Sequence, residues 1–222
     1  MHNRRKKAVL RLLCICLAGI CIVLTIQFVA RQSRPAPILV CLDAGHGGKD
    51  SGAQNGNRLE KEDNLRLTLL VRDRLEAMGI SVFLTRSDDT YLTLEERCKR
   101  ANRKNCSLFV SLHRNSAESG SGVEIWVKNT PSDTEWALAE SILNGLTNAG
   151  ISKARGVKSG YAKNADGNYY VNAHTDMPSC LAEIGFITSD TDNQLFDENL
   201  DAYADAIATA IRDTLQSLGE TA

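Results

Sequence analysis

Five short apolar runs, spaced along the chain from residue 38 onward, are the feature that most restricts how it can fold. Each run has five or six residues, a length that suits a buried strand better than a helix. The runs are residues 38–42 (ILVCL), 80–85 (ISVFLT), 107–112 (SLFVSL), 122–127 (GVEIWV) and 179–184 (SCLAEI). Longer segments with apolar residues three or four apart separate them. Strands that alternate with helices predict an α/β fold, in which helices cover both faces of the sheet.

The segments between the runs predict four helical regions. They cover residues 60–78, 94–103, 134–149 and 195–218, the last of which could hold one helix or two. Gly79 should end the first helix, because glycine favours the left-handed position after a helix. Thr93 should cap the second helix. Residues 151–172 are polar and predict a loop that could include a short strand.

A long apolar segment precedes the first run. Residues 8–30 are apolar except for Arg11, Thr25 and Gln27, and about 20 such residues cross the hydrocarbon core of a bilayer. Five basic residues and no acidic residue lie within residues 1–30, which favours a cytoplasmic N-terminus. We therefore predict an uncleaved membrane anchor. The alternative is a signal peptide that is removed on secretion, although the large Phe28 makes a poor cleavage site.

These features divide the chain into three predicted parts. Residues 1–30 are expected to form a basic cytoplasmic tip and a transmembrane signal anchor, and residues 31–37 a short linker that contains proline. Residues 38–222 are of the right length for one globular domain. We expect a single-pass protein of the cell membrane, and by either route the domain lies outside the cytoplasm.

Charge and cysteine usage exclude several classes of function. The chain has 26 Lys and Arg, of which five lie in residues 1–30, so 21 remain against 27 Asp and Glu in the rest. Nucleic-acid-binding domains are normally basic, so we expect no nucleic-acid partner. The seven cysteines include no C-x-x-C pair. The sequence therefore predicts neither a zinc–thiolate site nor a disulfide framework.

Two histidines follow apolar runs, at the strand ends where ligand sites of α/β sheets lie. His46 comes after the first run and His113 directly after the third. Together they could share one metal ion, and a hydrolytic zinc site needs a third protein ligand beside an open position for water. Glu60 is one candidate, but Glu62 and Asp63 compete with it. An acidic residue at the start of a helix is also explained by the helix dipole.

Glu183 interrupts the last apolar run. A lone carboxylate in a buried strand costs several kcal/mol if it is ionised and unpaired. Its pKa should therefore be raised, or a cation should lie beside it. A raised pKa is what a general base needs. The alternative is a carboxylate at the end of a strand, exposed to solvent.

Four ordered blocks between residues 38 and 215 carry a resemblance to a known family. They are residues 43–53 (DAGHGGKDSGA) with 60–65 (EKEDNL), residues 85–86 (TR) with 94–102 (LEERCKRAN), residues 111–115 (SLHRN) and residues 178–186 (PSCLAEIGF). In this order they resemble the blocks of the zinc-dependent N-acetylmuramoyl-L-alanine amidases often called amidase type 3. The match extends over the whole predicted domain.

The resemblance implies a fold, an activity and a site. The fold would be α/β, with a six-stranded mixed sheet flanked by helices on both faces. The activity would be hydrolysis of the amide bond between N-acetylmuramic acid and L-alanine in peptidoglycan. One zinc ion per chain would be bound by His46, Glu60 and His113, and Glu183 would be the general base. We expect the domain to act as a monomer.

Four further residues are candidates for supporting roles. Arg114 stands where the family often has alanine, and it could reach a carboxylate of the substrate. His174 follows Ala173, where the family often has arginine, and it could be a substrate contact or a surface residue. Asp43 and Asn115 could support the metal ligands or orient the substrate.

Two alternative functions stay open from the sequence. A zinc carboxypeptidase or endopeptidase that acts on the stem peptides of peptidoglycan could use the same metal site. A non-catalytic cell-wall-binding protein could keep the same fold. Such a protein would be expected to lose a metal ligand or the glutamate, and all four residues are present here.

Overall fold

A mixed six-stranded sheet forms the centre of the structure, a computed structural model that describes residues 38–161 and 167–219. The strands in these residues are β1 (Leu39–Ala44), β2 (Gln54–Asn55), β3 (Arg58–Leu59), β4 (Ser81–Leu84), β5 (Leu108–Asn115), β6 (Val123–Val127), β7 (Ala154–Ser159) and β8 (Ser179–Phe186). The order in the main sheet is β4–β1–β5–β8–β6–β7, and β2 and β3 form a separate small hairpin. The predicted six-stranded mixed sheet is confirmed.

The direction of the strands brings three strand ends together. β4, β1, β5 and β8 run parallel, whereas β6 is antiparallel to β8 and parallel to β7. The C-terminal ends of β1, β5 and β8 therefore lie side by side at one edge of the sheet. Asp43 pairs in register with Ser111, and His113 pairs with Glu183. Residues in register point to the same face, so the last two side chains are neighbours.

Helices cover both faces, as predicted. The helices of the described residues are α1 (Glu60–Ala77), α2 (Leu94–Lys104), α3 (Asp133–Asn148), α4 (Tyr170–His174), α5 (Asp190–Glu198) and α6 (Leu200–Ser217). The long helices α1, α3 and α6 pack on one face, over a core that includes Val40, Leu112 and Ile125. The shorter α2 and α4 pack on the other face, over Cys41 and Phe109. This smaller layer leaves the end of its face open.

Local sequence signals explain where the helices begin and end. Thr93 caps α2 as predicted, and its side chain and that of Glu96 bond to each other's backbone in a capping box. Gly79 has a φ of 82° just after α1, as its position predicted. The last helical region differs from the prediction. It consists of two helices, and the first begins at Asp190, where Ser189 caps it, rather than at residue 195.

The polar residues 151–172 do contain a short strand, β7, at the edge of the sheet. Within residues 38–161 and 167–219, no helix has the length and hydropathy needed to span a bilayer. The predicted anchor at residues 8–30 and the linker at residues 31–37 lie outside the described residues.

Candidate metal centre and cleft

An open cleft of about 800 Å³ lies where β1, β5 and β8 end. It is on the face of the sheet that the smaller helices α2 and α4 cover. Residues from both helices line it, together with the ends of the three strands. Ligand sites in open α/β sheets lie at this edge, so the sequence prediction about strand ends and the cavity agree.

The cleft holds three possible metal ligands in one cluster. His46 lies two residues after β1, Glu60 is the first residue of α1, and His113 is on β5. One ligand atom from each lies within 4.8 Å of the other two. Glu60 Oε1 is 3.2 Å from Nε2 of His46 and 3.0 Å from Nδ1 of His113. The structure thus brings together the three residues that the sequence predicted as ligands.

The backbone around His46 is held in an uncommon conformation. Its φ is 61°, in the left-handed region, which costs a residue other than glycine about 1–2 kcal/mol. Arg97 donates a 2.6 Å hydrogen bond to the His46 carbonyl oxygen and fixes this turn. Asp50 bonds to Nδ1 at 2.8 Å, which leaves Nε2 for a metal. A side chain at Gly45 would come within 2.6 Å of the His113 ring, so only glycine fits there.

Glu60 is surrounded by groups that stabilise its negative charge. Oε2 accepts a hydrogen bond from the Ala53 backbone, and Oε1 accepts from the Arg114 backbone and from Asn64. Burial by itself raises the pKa of Glu60, but hydrogen bonds and charge from the two histidines lower it to far below its ordinary value. Burial likewise lowers the pKa of His46, yet Glu60 and Asp50 raise it to about 9. The Glu60 carboxylate therefore favours a positive charge beside it.

Glu183 lies beside this cluster in a different environment. It sits on β8 in register with His113. Its Oε2 atom is buried and has no hydrogen-bond partner within the described residues. Burial raises the pKa of Glu183 to about 7, with the two histidines acting in the opposite direction and Glu60 adding to the rise. The carboxylate is thus poised to exchange a proton near neutral pH.

Asp43 faces the same side of the sheet, but both oxygens of its carboxylate already accept hydrogen bonds from the protein. Its two carboxylate oxygens accept hydrogen bonds from Thr85, Ser111 and Arg97. Burial raises the pKa of Asp43, but the charge of Arg97 and the three hydrogen bonds outweigh it, so the net pKa is lowered. Since Arg97 also holds the His46 carbonyl, Asp43 supports the position of His46 indirectly.

Glu124 also lines the cleft, although it is not among the residues predicted from the sequence. It lies on β6 in register with Glu183, and it is nearly buried. Its Oε1 accepts hydrogen bonds from Asn115 and Trp126. Asn115 therefore lies in the cleft, as expected for a residue that orients substrate. The alternation of Val123 and Ile125 could have revealed that Glu124 faces the other side of the sheet.

An aromatic wall bounds the cleft beside Glu124. The rings of Tyr161 and Tyr169 stack with centroids 4.1 Å apart. Trp126 meets both rings edge-on, at 5.9 and 5.4 Å. These residues come from β6 and from the residues between β7 and α4, and no local pattern in the sequence predicts that they meet. Such a wall can stack against the apolar face of a ring in a ligand.

The structure corrects the prediction for Arg114. Its guanidinium is fully buried, bonded to Asp63 and Asn193, and lies 4.3 Å from the centre of the Phe196 ring. It is therefore not available to a carboxylate of a substrate. The physical reason is strand alternation: His113 faces the cleft, so its neighbour Arg114 faces the opposite side.

His174 is not among the residues that line the cleft, although it contacts Tyr170, which is one of them. It is the last residue of α4, it is exposed, and its ring stacks on Tyr170 at 3.9 Å. Its Nδ1 also bonds to the backbone oxygen of Tyr170. The sequence left two alternatives for His174, a substrate contact or a surface residue, and these contacts favour the surface residue.

Comparison with known families and relatives agrees with this geometry. The family model described as N-acetylmuramoyl-L-alanine amidase matches residues 40–216. An uncharacterized protein of Bacillus subtilis, YqiI, is 40% identical over 78% of this chain and 82% of its own. The N-acetylmuramoyl-L-alanine amidase LytC of Bacillus subtilis is 36% identical over 78% of this chain, which covers only 34% of LytC.

A solved structure has the same fold. The N-acetylmuramoyl-L-alanine amidase AmiC2 of Nostoc punctiforme superposes with a TM-score of 0.73 and 36% sequence identity. The match covers 82% of this chain and 99% of the AmiC2 chain. The match therefore extends over nearly all of the solved domain.

Proposed function

The chain belongs to the N-acetylmuramoyl-L-alanine amidase family, and we propose that it hydrolyses the bond between N-acetylmuramic acid and L-alanine in peptidoglycan with zinc and a glutamate base. His46, Glu60 and His113 would hold the zinc ion. Glu183 would move the proton. The family assignment supports the hydrolase, and the geometry of the cleft supports the finer proposal.

One observation carries the mechanism. A buried carboxylate with an unpartnered oxygen, Glu183 Oε2, lies in register with His113 of the ligand cluster. A buried polar atom without a partner is costly and is rarely kept without a role. A carboxylate in this position can reach a water molecule or an amide nitrogen that is held at the cluster.

The chemistry of the ligand cluster fits zinc. It offers two imidazole nitrogens and one carboxylate oxygen, a set used in hydrolytic zinc sites. The atoms lie close enough together to surround one ion. The Ala53 backbone donates a hydrogen bond to Glu60, and Asp50 bonds to Nδ1 of His46, so both side chains are held in position. No thiolate is involved, because the four cysteines of the described residues are buried away from the cleft lining.

Different residues of the cleft would move the proton and orient the substrate. The chemistry that zinc supplies when bound is to acidify a water molecule and to polarise a carbonyl oxygen. Glu183 would accept a proton at Oε2 from the attacking water, because burial raises its pKa to about 7. It can then donate the proton to the leaving nitrogen of L-alanine. Asn115 and the aromatic wall line the same cleft and can orient the substrate.

Digestion of purified cell wall tests this proposal. Wall treated with the protein should release stem peptides that begin with a free L-alanine, and a chelator should stop the release. Shortened stems that remain attached to the glycan would instead indicate a carboxypeptidase or endopeptidase. Binding to the wall without any release would indicate a non-catalytic wall protein.

We also propose, from the sequence, that residues 8–30 anchor the protein in the cell membrane with the domain outside the cytoplasm. The full-length protein should then stay with membranes through a carbonate wash, because an inserted helix is held by apolar burial and not by ionic contacts. A mature protein in the medium that begins near Arg31 would contradict the anchor and favour secretion. The expectation of a monomer stays a prediction, which light scattering can test.

A further inference from the structure

A row of charged residues crosses the sheet from the ligand cluster toward its edge. His113, Glu183 and Glu124 are paired in register on β5, β8 and β6. The register between β6 and β7 shifts next to Glu124, between Val123 and Ile125. At this irregularity Arg155 of β7 reaches Glu124. The row therefore continues from the reaction centre to a cation at the rim.

The Glu124 carboxylate accepts four hydrogen bonds, two at each oxygen. Oε1 accepts from Asn115 and Trp126, and Oε2 accepts from Arg155 at 2.7 Å and from Lys158 at 2.6 Å. A carboxylate has about four acceptor positions. Glu124 is thus a positioning residue, which holds two cations beside the cleft.

The two cations keep donors free for a ligand. Within the described residues, the Arg155 guanidinium donates to Glu124 and to the Ser121 carbonyl, and Lys158 donates only to Glu124. An arginine has five N–H donors and a lysine has three. Both side chains are about a third exposed, at 31% and 33%. Two positive charges face one negative charge here, so the rim has a net positive charge in an otherwise acidic domain.

Arg155 also lines a second groove. It has a volume of about 520 Å³, and most of its other lining residues are serines. Glu124 lines the main cleft, whereas its partner Arg155 lines this groove. A substrate longer than the cleaved bond could extend from one cavity into the other across this pair.

The distances fit a carboxylate close to the cleaved bond. Neighbouring strands are about 4.8 Å apart, so cations bonded to Glu124 lie roughly 8 Å from Glu183. An extended peptide advances about 3.5 Å per residue. The residue after L-alanine in a stem peptide would therefore lie roughly 7 Å from the cleaved bond.

We propose that Arg155 and Lys158 form a carboxylate-binding subsite that selects stem peptides with a free carboxylate on the residue after L-alanine. The stem peptide leaves the reaction centre across β6 and β7 and enters the second groove. This inference rests on the proposed amidase function and adds a determinant of specificity to it.

Two matched substrates test the subsite. They are muramoyl tripeptides that differ only in the residue after L-alanine, which carries either a free α-carboxylate or a carboxamide. The purified full-length protein should have a kcat/KM about tenfold higher for the free acid, because a hydrogen bond between charged groups is stronger than a neutral one. R155Q and K158Q should each reduce this ratio to about threefold, mainly through KM. R155K keeps the charge but loses the planar fork of donors, so its ratio should lie between those of R155Q and the natural protein.

The ratio separates the subsite from general damage, because a poorly folded variant loses activity on both substrates equally. K49Q is the matched control: Lys49 lies over the Tyr91 ring, which also lines the cleft, and its loss should leave the ratio unchanged. Equal rates for both substrates in the natural protein, or an unchanged ratio in both R155Q and K158Q, would overturn the subsite. A change of the kcat/KM ratio in K49Q, without a change in R155Q and K158Q, would also overturn the subsite. Release of no stem peptide from either substrate would overturn the proposed function itself.

Discussion

The start of α1 and the end of β8 each place one buried glutamate in the cleft, and they surround it in opposite ways. At the start of α1, Glu60 accepts hydrogen bonds from backbone and side-chain groups and contacts both histidines. At the end of β8, Glu183 has an oxygen with no partner in the described part of the chain. The pKa is lowered in the first case and raised to about 7 in the second.

The difference shows how one cleft can give two identical side chains separate roles. Donors that are already in place keep Glu60 ionised, which suits the metal ligand that we propose. Burial without donors raises the pKa of Glu183, which suits the general base that we propose. If the surroundings decide the two roles, substitutions at the two sites should have different effects.

The largest effect should come from Glu183→Gln. Glutamine keeps the size of the side chain but cannot accept the proton, and general base catalysis contributes typically 10²–10⁴-fold. The kcat should fall by about that range, while the zinc content stays near one per chain. Release of stem peptide and elemental analysis measure the two quantities. The exposed Glu76→Gln is the control and should change neither; a fully active Glu183→Gln would remove Glu183 from the mechanism.

Asp43→Asn tests the support that Arg97 gives to the turn at His46. It leaves the buried Arg97 without its counter-charge, and breaking a buried ion pair costs about 3–5 kcal/mol of unfolding free energy. The pKa of Asp43 is lowered in the folded state, so its stabilising effect is present above the unfolded pKa of about 3.9 and is lost as the pH falls through the folded value.

Denaturant unfolding at several pH values measures this effect. The difference between the natural protein and Asp43→Asn should be largest at pH 7 and should shrink below about pH 4. Asp213→Asn is the control, because Asp213 pairs with Arg212 at an exposed position, where ion pairs contribute about 0–1 kcal/mol. A difference for Asp43→Asn that is constant from pH 7 to pH 3 would argue against the ion pair as the cause.

Glu60→Gln tests the other half of the comparison. Weakening a ligand should lower zinc affinity by at least about 10–100-fold, the range seen for the groups that support ligands. Activity should fall with zinc content and recover in part when zinc is added in excess. Glu62→Gln is the matched control, since Glu62 lies exposed in the same helical turn and competed for the role in the sequence. Loss of zinc in Glu62→Gln alone would reassign the ligand.

The smallest effect concerns two glycines in the loop before α1. Gly52 and Gly56 have similar left-handed φ values, 65° and 59°. A Cβ at Gly52 would lie 2.6 Å from Oε2 of Glu60 and 2.7 Å from His46, whereas a Cβ at Gly56 would meet nothing within 4 Å. Both alanine variants should lose about 1–2 kcal/mol of stability. Only Gly52→Ala should also lose zinc affinity, by roughly tenfold. Competition with a chelator measures this affinity. Equal zinc affinities of Gly52→Ala and Gly56→Ala would show that the cluster tolerates the displacement.

Most of the fold could be predicted from the sequence, because each strand and helix carries a local signal. The apolar runs predicted five of the six strands of the main sheet, and Thr93 predicted the start of α2. The strand β7 was harder to predict, since at the edge of the sheet its residues are polar and partly exposed. Its pairing with β6 is a tertiary property that no local pattern reveals.

The candidate site was predictable in part. His46 and His113 follow strands, and resemblance selected Glu60 over its acidic neighbours. Glu124 and the aromatic wall were missed because β8 enters the sheet between β5 and β6, so residues far apart in sequence meet in the cleft. The error for Arg114 was avoidable, since two adjacent residues of a strand face opposite sides.

A zinc titration of the metal-free protein tests the metal and the cleaved bond together. Peptidoglycan hydrolysis is followed while zinc is added in small steps, and the released products are identified by mass. We expect no activity without metal, a linear rise up to one zinc per chain, and stem peptides with a free L-alanine as the product. Full activity in the absence of metal, or shortened stems as the only product, would rule out a zinc-dependent amidase.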